Sequence, residues 1–189
     1  MGVGHNIFTT TVFESTYNLP LDGIIKEIKN LYDTTPSVKK SNVNGYQSRQ
    51  DLHTFDFMKP IVDFICFESV NAFYEYGCPK DTITVESCWF NVNSQKNQFN
   101  QTHLHSGIVS GVFYLQAPEG SGKINLMNFG LNQLWQGHTE ATIANSHNSF
   151  YVDIPATPGS LYLWPSYVPH SVEPNNTDVE RISISFNLK

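Results

Sequence analysis

The apolar residues change rhythm near the middle of the chain. In the first half they recur every three or four positions. Ile24, Ile25, Ile28, Leu31 and Tyr32 follow Pro20 and Asp22 and predict one helix. Ile61, Phe64, Ile65 and Val70 predict a second, from about Lys59 to Tyr76, with Pro60 in its first turn and Gly77 as its stop. Residues 6–14, β-branched and aromatic, predict an opening strand, and the polar residues 33–52, with Pro36, Asn44 and Gly45, a loop holding one short strand. After Cys78 the pattern becomes strand-like over 82–93, 108–116, 122–129, 149–154, 160–164 and 181–187. Turn signals such as Pro118–Gly122 and Thr157–Gly159 separate these segments. Helices followed by many short strands predict a mainly β fold, a β-sandwich or jelly roll with helices packed outside it. We expect one domain over 1–189, with a strand and supporting helices in 1–80 and the jelly-roll core in 81–189.

Composition narrows the class. Of 189 residues, 40% are hydrophobic, 13% aromatic and only 15% charged, as in a globular β-rich domain. The net charge of −6 argues against an electrostatic nucleic-acid footprint. No apolar run is long enough to span a bilayer. The N-terminus lacks the basic leader and apolar core of a signal peptide, and Asn6 stands where myristoylation needs Ser or Thr. Cys66, Cys78 and Cys88 are odd in number and have no metal-type spacing, so they read as free thiols in a reducing compartment. A cytoplasmic location is therefore expected.

The residues that suggest chemistry are histidines. His103 and His105 lie in Asn100-Gln-Thr-His-Leu-His-Ser-Gly107. On a strand, two residues one apart point to the same face, with Cβ atoms about 6–7 Å apart, so both rings reach one metal ion. A third candidate, His170, ends Trp164-Pro-Ser-Tyr-Val-Pro-His170, where Pro169 fixes its approach; an ordinary turn histidine would look the same. His5, His53, His138 and His147 have no comparable partners, though His138 or His147 could line a cleft. Arg181 opens Arg-Ile-Ser-Ile-Ser-Phe-Asn187. Alternation puts Ile182, Ile184 and Phe186 on one face and Arg181, Ser183, Ser185 and Asn187 on the other. A polar stripe led by arginine fits a carboxylate pocket, with Ser183 adding a hydroxyl; a solvent-facing strand is the alternative. No carboxylate pair, nucleophile elbow or phosphate-binding glycine loop stands out.

Read in order, His103-Leu-His105, Ser110-Gly-Val-Phe-Tyr-Leu115, Trp164-Pro-Ser-Tyr-Val-Pro-His170 and Arg181-Ile-Ser-Ile-Ser-Phe-Asn187 resemble the 2-oxoglutarate- and Fe(II)-dependent oxygenases, and in particular a group found in bacteria and bacteriophages. A Trp-containing strand, Ser87-Cys-Trp-Phe-Asn91, belongs to the same pattern, which covers about residues 82–188. The resemblance implies a double-stranded β-helix of the cupin-like, jelly-roll kind. It implies His170 as the distal iron ligand, with Arg181 and Ser183 on the distal carboxylate of 2-oxoglutarate. The wider superfamily uses His-x-Asp/Glu and a distal His; here His105 stands where the carboxylate would be, so the site is either three-histidine or uses one of the pair otherwise. The implied reaction couples oxidative decarboxylation of 2-oxoglutarate to hydroxylation of a substrate. Tyr114, Asn91 and Trp164 are plausible pocket residues.

Two other classes remain at this point. A cupin-like metal enzyme without 2-oxoglutarate suits three histidines but leaves Arg181 and Ser183 unexplained. A non-enzymatic jelly-roll binding protein suits the aromatic, Asn-rich composition but not the ordered histidines. The primary substrate, a small molecule or a protein side chain, is not written in the sequence, and no membrane partner is expected.

Overall fold

The computed structural model describes residues 2–3, 9–128, 140–145 and 148–189. The described chain runs β1 (Phe13–Thr16), α1 (Asp22–Thr34), β2 (Asn42–Val43), β3 (Tyr46–Gln47), α2 (Lys59–Glu68), α3 (Val70–Glu75), β4 (Val85–Asn93), β5 (Phe99–His103), β6 (Val109–Gln116), β7 (Ile124–Met127), β8 (Tyr151–Ile154), β9 (Ser160–Pro165), β10 (His170–Val172) and β11 (Arg181–Leu188). Two antiparallel sheets result, in the orders β1-β9-β6-β11-β4-β3 and β2-β5-β10-β7-β8. This is the double-stranded β-helix arrangement that the family resemblance implies, and it agrees with the strand-rich pattern.

Period-two alternation in the larger sheet sorts the side chains into two cores. Cys88, Phe90 and Val92 of β4, Phe113 and Leu115 of β6, Leu161 and Leu163 of β9, and Ile182, Ile184 and Phe186 of β11 pack with Ile28, Ile61, Ile65 and Phe73 of the helices. The opposite faces give Val112, Tyr114, Tyr162 and Trp164, which meet Ile124, Leu126 and Ile154 of the smaller sheet. Strands buried on both faces explain why the sequence shows near-continuous apolar runs in β6 and β9.

Local chemistry sets the element ends. The helix expected over 59–76 is split at Ser69, whose buried hydroxyl donates to the Ile65 carbonyl at 2.6 Å; such back-bonding bends helices. After α3, Gly77 at φ +69° and Cys78 donate to Tyr74 and Phe73 carbonyls, a Schellman stop. The opening strand begins at Phe13, later than the expected 6–14, of which 6–8 lie outside the described residues. Phe13 pairs with Leu163, and β9 ends two residues on at Pro165, which has no N–H to continue the ladder. The 33–52 loop holds two short strands rather than one. Among the described residues, all three cysteines are free and no helix is long and apolar enough to cross a membrane.

One position tests the two-core packing. A Cβ at Gly111 would lie 2.5 Å from Phe186 Cζ and 2.6 Å from the Tyr162 carbonyl oxygen, whereas one at Gly23 would meet nothing within 4 Å. Gly111→Ala should therefore cost about 1–3 kcal/mol, read as a lower urea midpoint, and Gly23→Ala should leave the midpoint unchanged or raise it.

Candidate metal centre

His103 closes β5 and His170 opens β10, and the two face each other as partners in the antiparallel register of the smaller sheet. His105 is not on that strand, contrary to the expectation that both members of the pair share one. β10 is three residues long and is preceded by Pro169, so the ladder stops at His103. The chain then turns toward the larger sheet, where the His105 amide donates to the Ser166 carbonyl at 3.1 Å. The three rings still converge. Ring centroids lie 4.3 Å apart for His103–His170 and 5.0 Å for each pair involving His105. One ligand nitrogen from each lies within 4.8 Å of the other two, and no other such group of ligating side chains occurs among the described residues.

Hydrogen bonds decide which nitrogen each ring offers. His103 Nδ1 donates to the Gln101 carbonyl at 2.7 Å and His170 Nδ1 to the Val168 carbonyl at 3.1 Å. A carbonyl only accepts, so in both rings the proton sits on Nδ1 and the Nε2 lone pair is free. His105 Nδ1 uses a distant acceptor instead, Asn187 Oδ1 at 2.7 Å. That amide is itself fixed: Oδ1 also accepts from Ser110 Oγ at 2.8 Å, Ser110 meets Ser166 Oγ at 2.7 Å, and Nδ2 donates to Ser87 Oγ at 2.9 Å. His105 Nε2 is left buried without a partner. Trp89 stacks on the His105 ring at 5.3 Å and Trp164 meets His170 edge-on at 5.0 Å, which limits ring rotation. Three neutral imidazoles with ligand nitrogens this close fit a borderline divalent ion such as iron.

Burial keeps these rings neutral. Desolvation lowers the His103 pKa, and lowers His105 to about 4 against the opposing Asn187 hydrogen bond. In His170, burial first and then the neighbouring His103 bring it to about 3.

A partly open cavity runs inward from the histidines, and every site residue singled out from the sequence lines it: His103, His105, His170, Asn91, Tyr114, Trp164, Arg181 and Ser183. Arg181 is 1% exposed. Its Nη1 donates to the Ser121 and Glu173 carbonyls and its Nη2 to Asn93 Oδ1 at 3.0 Å. Of five N–H groups, the Nε–H and one on Nη2 remain. Burial works against the guanidinium charge, and Tyr114 and Glu173 offset part of that. Gly122, at φ +88°, makes room: a Cβ there would lie 2.9 Å from Arg181 Nη1. Asn91 Oδ1 and Trp164 Nε1 are also buried without partners. Sequence reasoning placed Asn187 on the right face of its strand but gave it no role; it read Gly122 only as part of a turn and Ser166 only as part of the His170 segment. His53 lies apart, its Nδ1 buried without a partner, and His5, His138 and His147 lie outside the described residues.

Residues 87–187 match the model of a family described as "Putative 2OG-Fe(II) oxygenase". No curated protein matches the chain. Among solved structures, a prolyl-4-hydroxylase from Pseudomonas putida aligns with TM-score 0.65 and 16% identity, covering 95% of this chain and 93% of that one. The α-ketoglutarate-dependent epimerase SnoN from nogalamycin biosynthesis aligns with TM-score 0.64 and 14% identity over 89% and 70%. HygX from Streptomyces hygroscopicus, solved with nickel and 2-oxoglutarate, aligns with TM-score 0.56 and 12% identity over 95% and 83%. At these identities the structural likeness carries the double-stranded β-helix fold alone.

Two measurements check the ligand geometry. Asn187→Ala frees the His105 ring and should weaken divalent-metal binding about 10–100-fold in a chelator competition, whereas Asn187→Asp, which can only accept, should retain most of the affinity. Unfolded histidines titrate near 6.5, so below that pH the unfolded chain binds protons that the folded rings refuse. The melting midpoint of metal-free protein should then fall as pH drops from 6.5 toward 4, and fall less in His170→Asn. Equal drops would remove His170 as a cause.

Proposed function

The chain belongs to the 2OG-Fe(II) oxygenase family, whose model spans residues 87–187, and we propose that His103, His105 and His170 hold its Fe(II) while Arg181 holds its cosubstrate. As a member of that family it is an oxidoreductase that uses Fe(II) and 2-oxoglutarate. The observation that carries the residue assignment is the meeting of three ring nitrogens within 4.8 Å, at the mouth of a cavity that also holds a fully buried guanidinium.

When bound, the iron supplies the centre at which 2-oxoglutarate and O₂ react to give succinate, CO₂ and an oxidised product. The chain supplies position and charge. Arg181 offers its Nε–H and remaining Nη2–H as a fork to the distal carboxylate, held rigid by its three protein acceptors. Ser183, two residues on, adds a hydroxyl on the same face. Tyr114 stands opposite Ser183 in the β6–β11 register, and burial raises its pKa, so its phenol stays a neutral donor. Three neutral imidazoles leave the full charge of a divalent ion uncompensated. A dianionic cosubstrate therefore finds positive charge at both ends of the cavity. The hydrogen-bonded Nδ1 atoms keep each ring in the tautomer that can ligate. Asn91 and Trp164 line the cavity with one unpartnered acceptor and one unpartnered donor.

Hydroxylation of an unactivated C–H on a small molecule or protein side chain is the outcome we assign. The free thiols suit a reducing cytoplasm, in a bacterial or phage-infected cell. A cupin-like metal enzyme without 2-oxoglutarate is favoured by the three-histidine set, but it leaves a buried Arg181 without an anion.

Iron-loaded protein should convert 2-oxoglutarate to succinate slowly, with O₂ and without primary substrate, and His170→Ala should abolish this. Succinate no higher than in that variant, across a broad substrate panel, would sink the assignment. Arg181→Lys keeps charge but loses the fork, so anaerobic calorimetry with a redox-inert metal should show 2-oxoglutarate binding weakened roughly tenfold to a hundredfold.

A further inference from the structure

A row of cavity-facing side chains at the histidine end of the larger sheet holds one polar group that the protein itself does not satisfy. Asn187 of β11 pairs with Ser110 of β6, and Ser110 pairs with Trp164 of β9. Residues paired in this way project to the same face. The first two are fully engaged. Ser110 Oγ meets both Asn187 Oδ1 and Ser166 Oγ, and Asn187 also contacts His105 Nδ1 and Ser87 Oγ. Trp164 differs: it is 2% exposed, and its Nε1 is buried without a partner among the described residues.

Packing does not call for that N–H. The indole sits among Val112, Tyr114, Ile124, Leu126 and Val168, where a benzene ring would bury much the same apolar surface and no polar atom. An indole N–H can only donate, and burying it unpaired is costly. The same side chain lines the inner cavity and meets His170 edge-on, with ring centroids 5.0 Å apart. Trp164 therefore belongs to the metal end of the cavity, whereas Arg181 stands at the opposite end of β11 from the Asn187 row. Two other buried, unpartnered atoms belong to residues that line this cavity. Asn91 Oδ1 only accepts, and His105 Nε2 is the nitrogen left for the metal, so Trp164 Nε1 is the donor among them.

A 2-oxo acid chelates a divalent ion through its keto oxygen and one carboxylate oxygen. The second carboxylate oxygen stays free and carries negative charge. A lone buried donor beside the metal ligands complements it, in a charge-assisted hydrogen bond shielded from water. We propose that Trp164 Nε1 donates to the free oxygen of the cosubstrate's metal-end carboxylate, an inference that rests on the oxygenase reading of the site. Trp164 then reads the head that every 2-oxo acid carries, and Arg181 reads the distal carboxylate that distinguishes 2-oxoglutarate.

The Zn(II)-loaded full chain, isotope-labelled at its indole nitrogens, tests this by NMR without turnover. Of three indole signals, that of Trp164 is identified by its Overhauser contacts to the His170 ring. On saturation with 2-oxoglutarate it should move downfield, a change that a ring serving only as packing would not show. In calorimetry on the same Zn(II) form, Trp164→Phe should bind 2-oxoglutarate about tenfold more weakly or worse. Pyruvate keeps the 2-oxo acid head and lacks the distal carboxylate, so it separates the two ends. Trp164→Phe should weaken pyruvate binding by a similar factor, and Arg181→Lys should leave it unchanged. An indole signal unmoved by bound 2-oxoglutarate, an unchanged affinity in Trp164→Phe, or a loss seen with 2-oxoglutarate but not with pyruvate would each overturn the inference. The signal is read on the wild-type fold, so it decides the matter even if Trp164→Phe folds poorly. Absence of any 2-oxoglutarate binding to wild type would sink the oxygenase reading and this inference together, whereas binding with an unmoved indole would sink this inference alone.

Discussion

The register of β11 between β4 and β6 is the constraint on which the rest of the molecule depends. Ile182, Ile184, Phe186 and Leu188 are fully buried in the helix-side core. A slip by one residue would expose all four to the interior cavity and drive Arg181, Ser183, Ser185 and Asn187 into an apolar core. The hydrophobic face therefore fixes where the polar face lies. Arg181, Ser183 and Ser185 of that face line the inner cavity, and Asn187, which holds His105, lies six residues or roughly 20 Å along the strand from Arg181. Anion pocket and metal centre are thus set relative to one another by one strand.

The site is assembled almost wholly from neutral groups. Backbone carbonyls orient His103 and His170, and a carboxamide orients His105, so no negative charge is placed near the three rings. Arg181 likewise rests on carbonyl and amide oxygens rather than on a carboxylate. Both positive centres of the proposed active state keep their charge available for an anion. The same economy leaves polar atoms of Asn91, His105 and Trp164 buried without protein partners among the described residues. Each costs stability that a ligand can recover.

Where sequence and structure differ, a short-range expectation met a long-range partner. The helix over 59–76 has a continuous apolar face, but Ser69 is buried, and its hydroxyl turned back on Ile65 divides the helix. The histidine pair has strand spacing, yet the strand needs a partner, and β10 supplies only three residues. His105 reaches the cluster all the same, because contacts 61 and 82 residues away in sequence, at Ser166 and Asn187, redirect it.

The sequence by itself determined the strand alternation, the order of the chemistry-bearing segments and hence the family. Those signals are local: period-two burial, proline and glycine stops, and a histidine pair at strand spacing. It also singled out eight of the residues that line the inner cavity, seven of them on strands and His105 just beyond one. Only the tertiary structure decided that His105 leaves its strand, that Asn187 sets its tautomer and that Gly122 clears space for Arg181. Each of these depends on atoms brought together from distant parts of the chain by the packing of two sheets, and no periodicity within one segment encodes that.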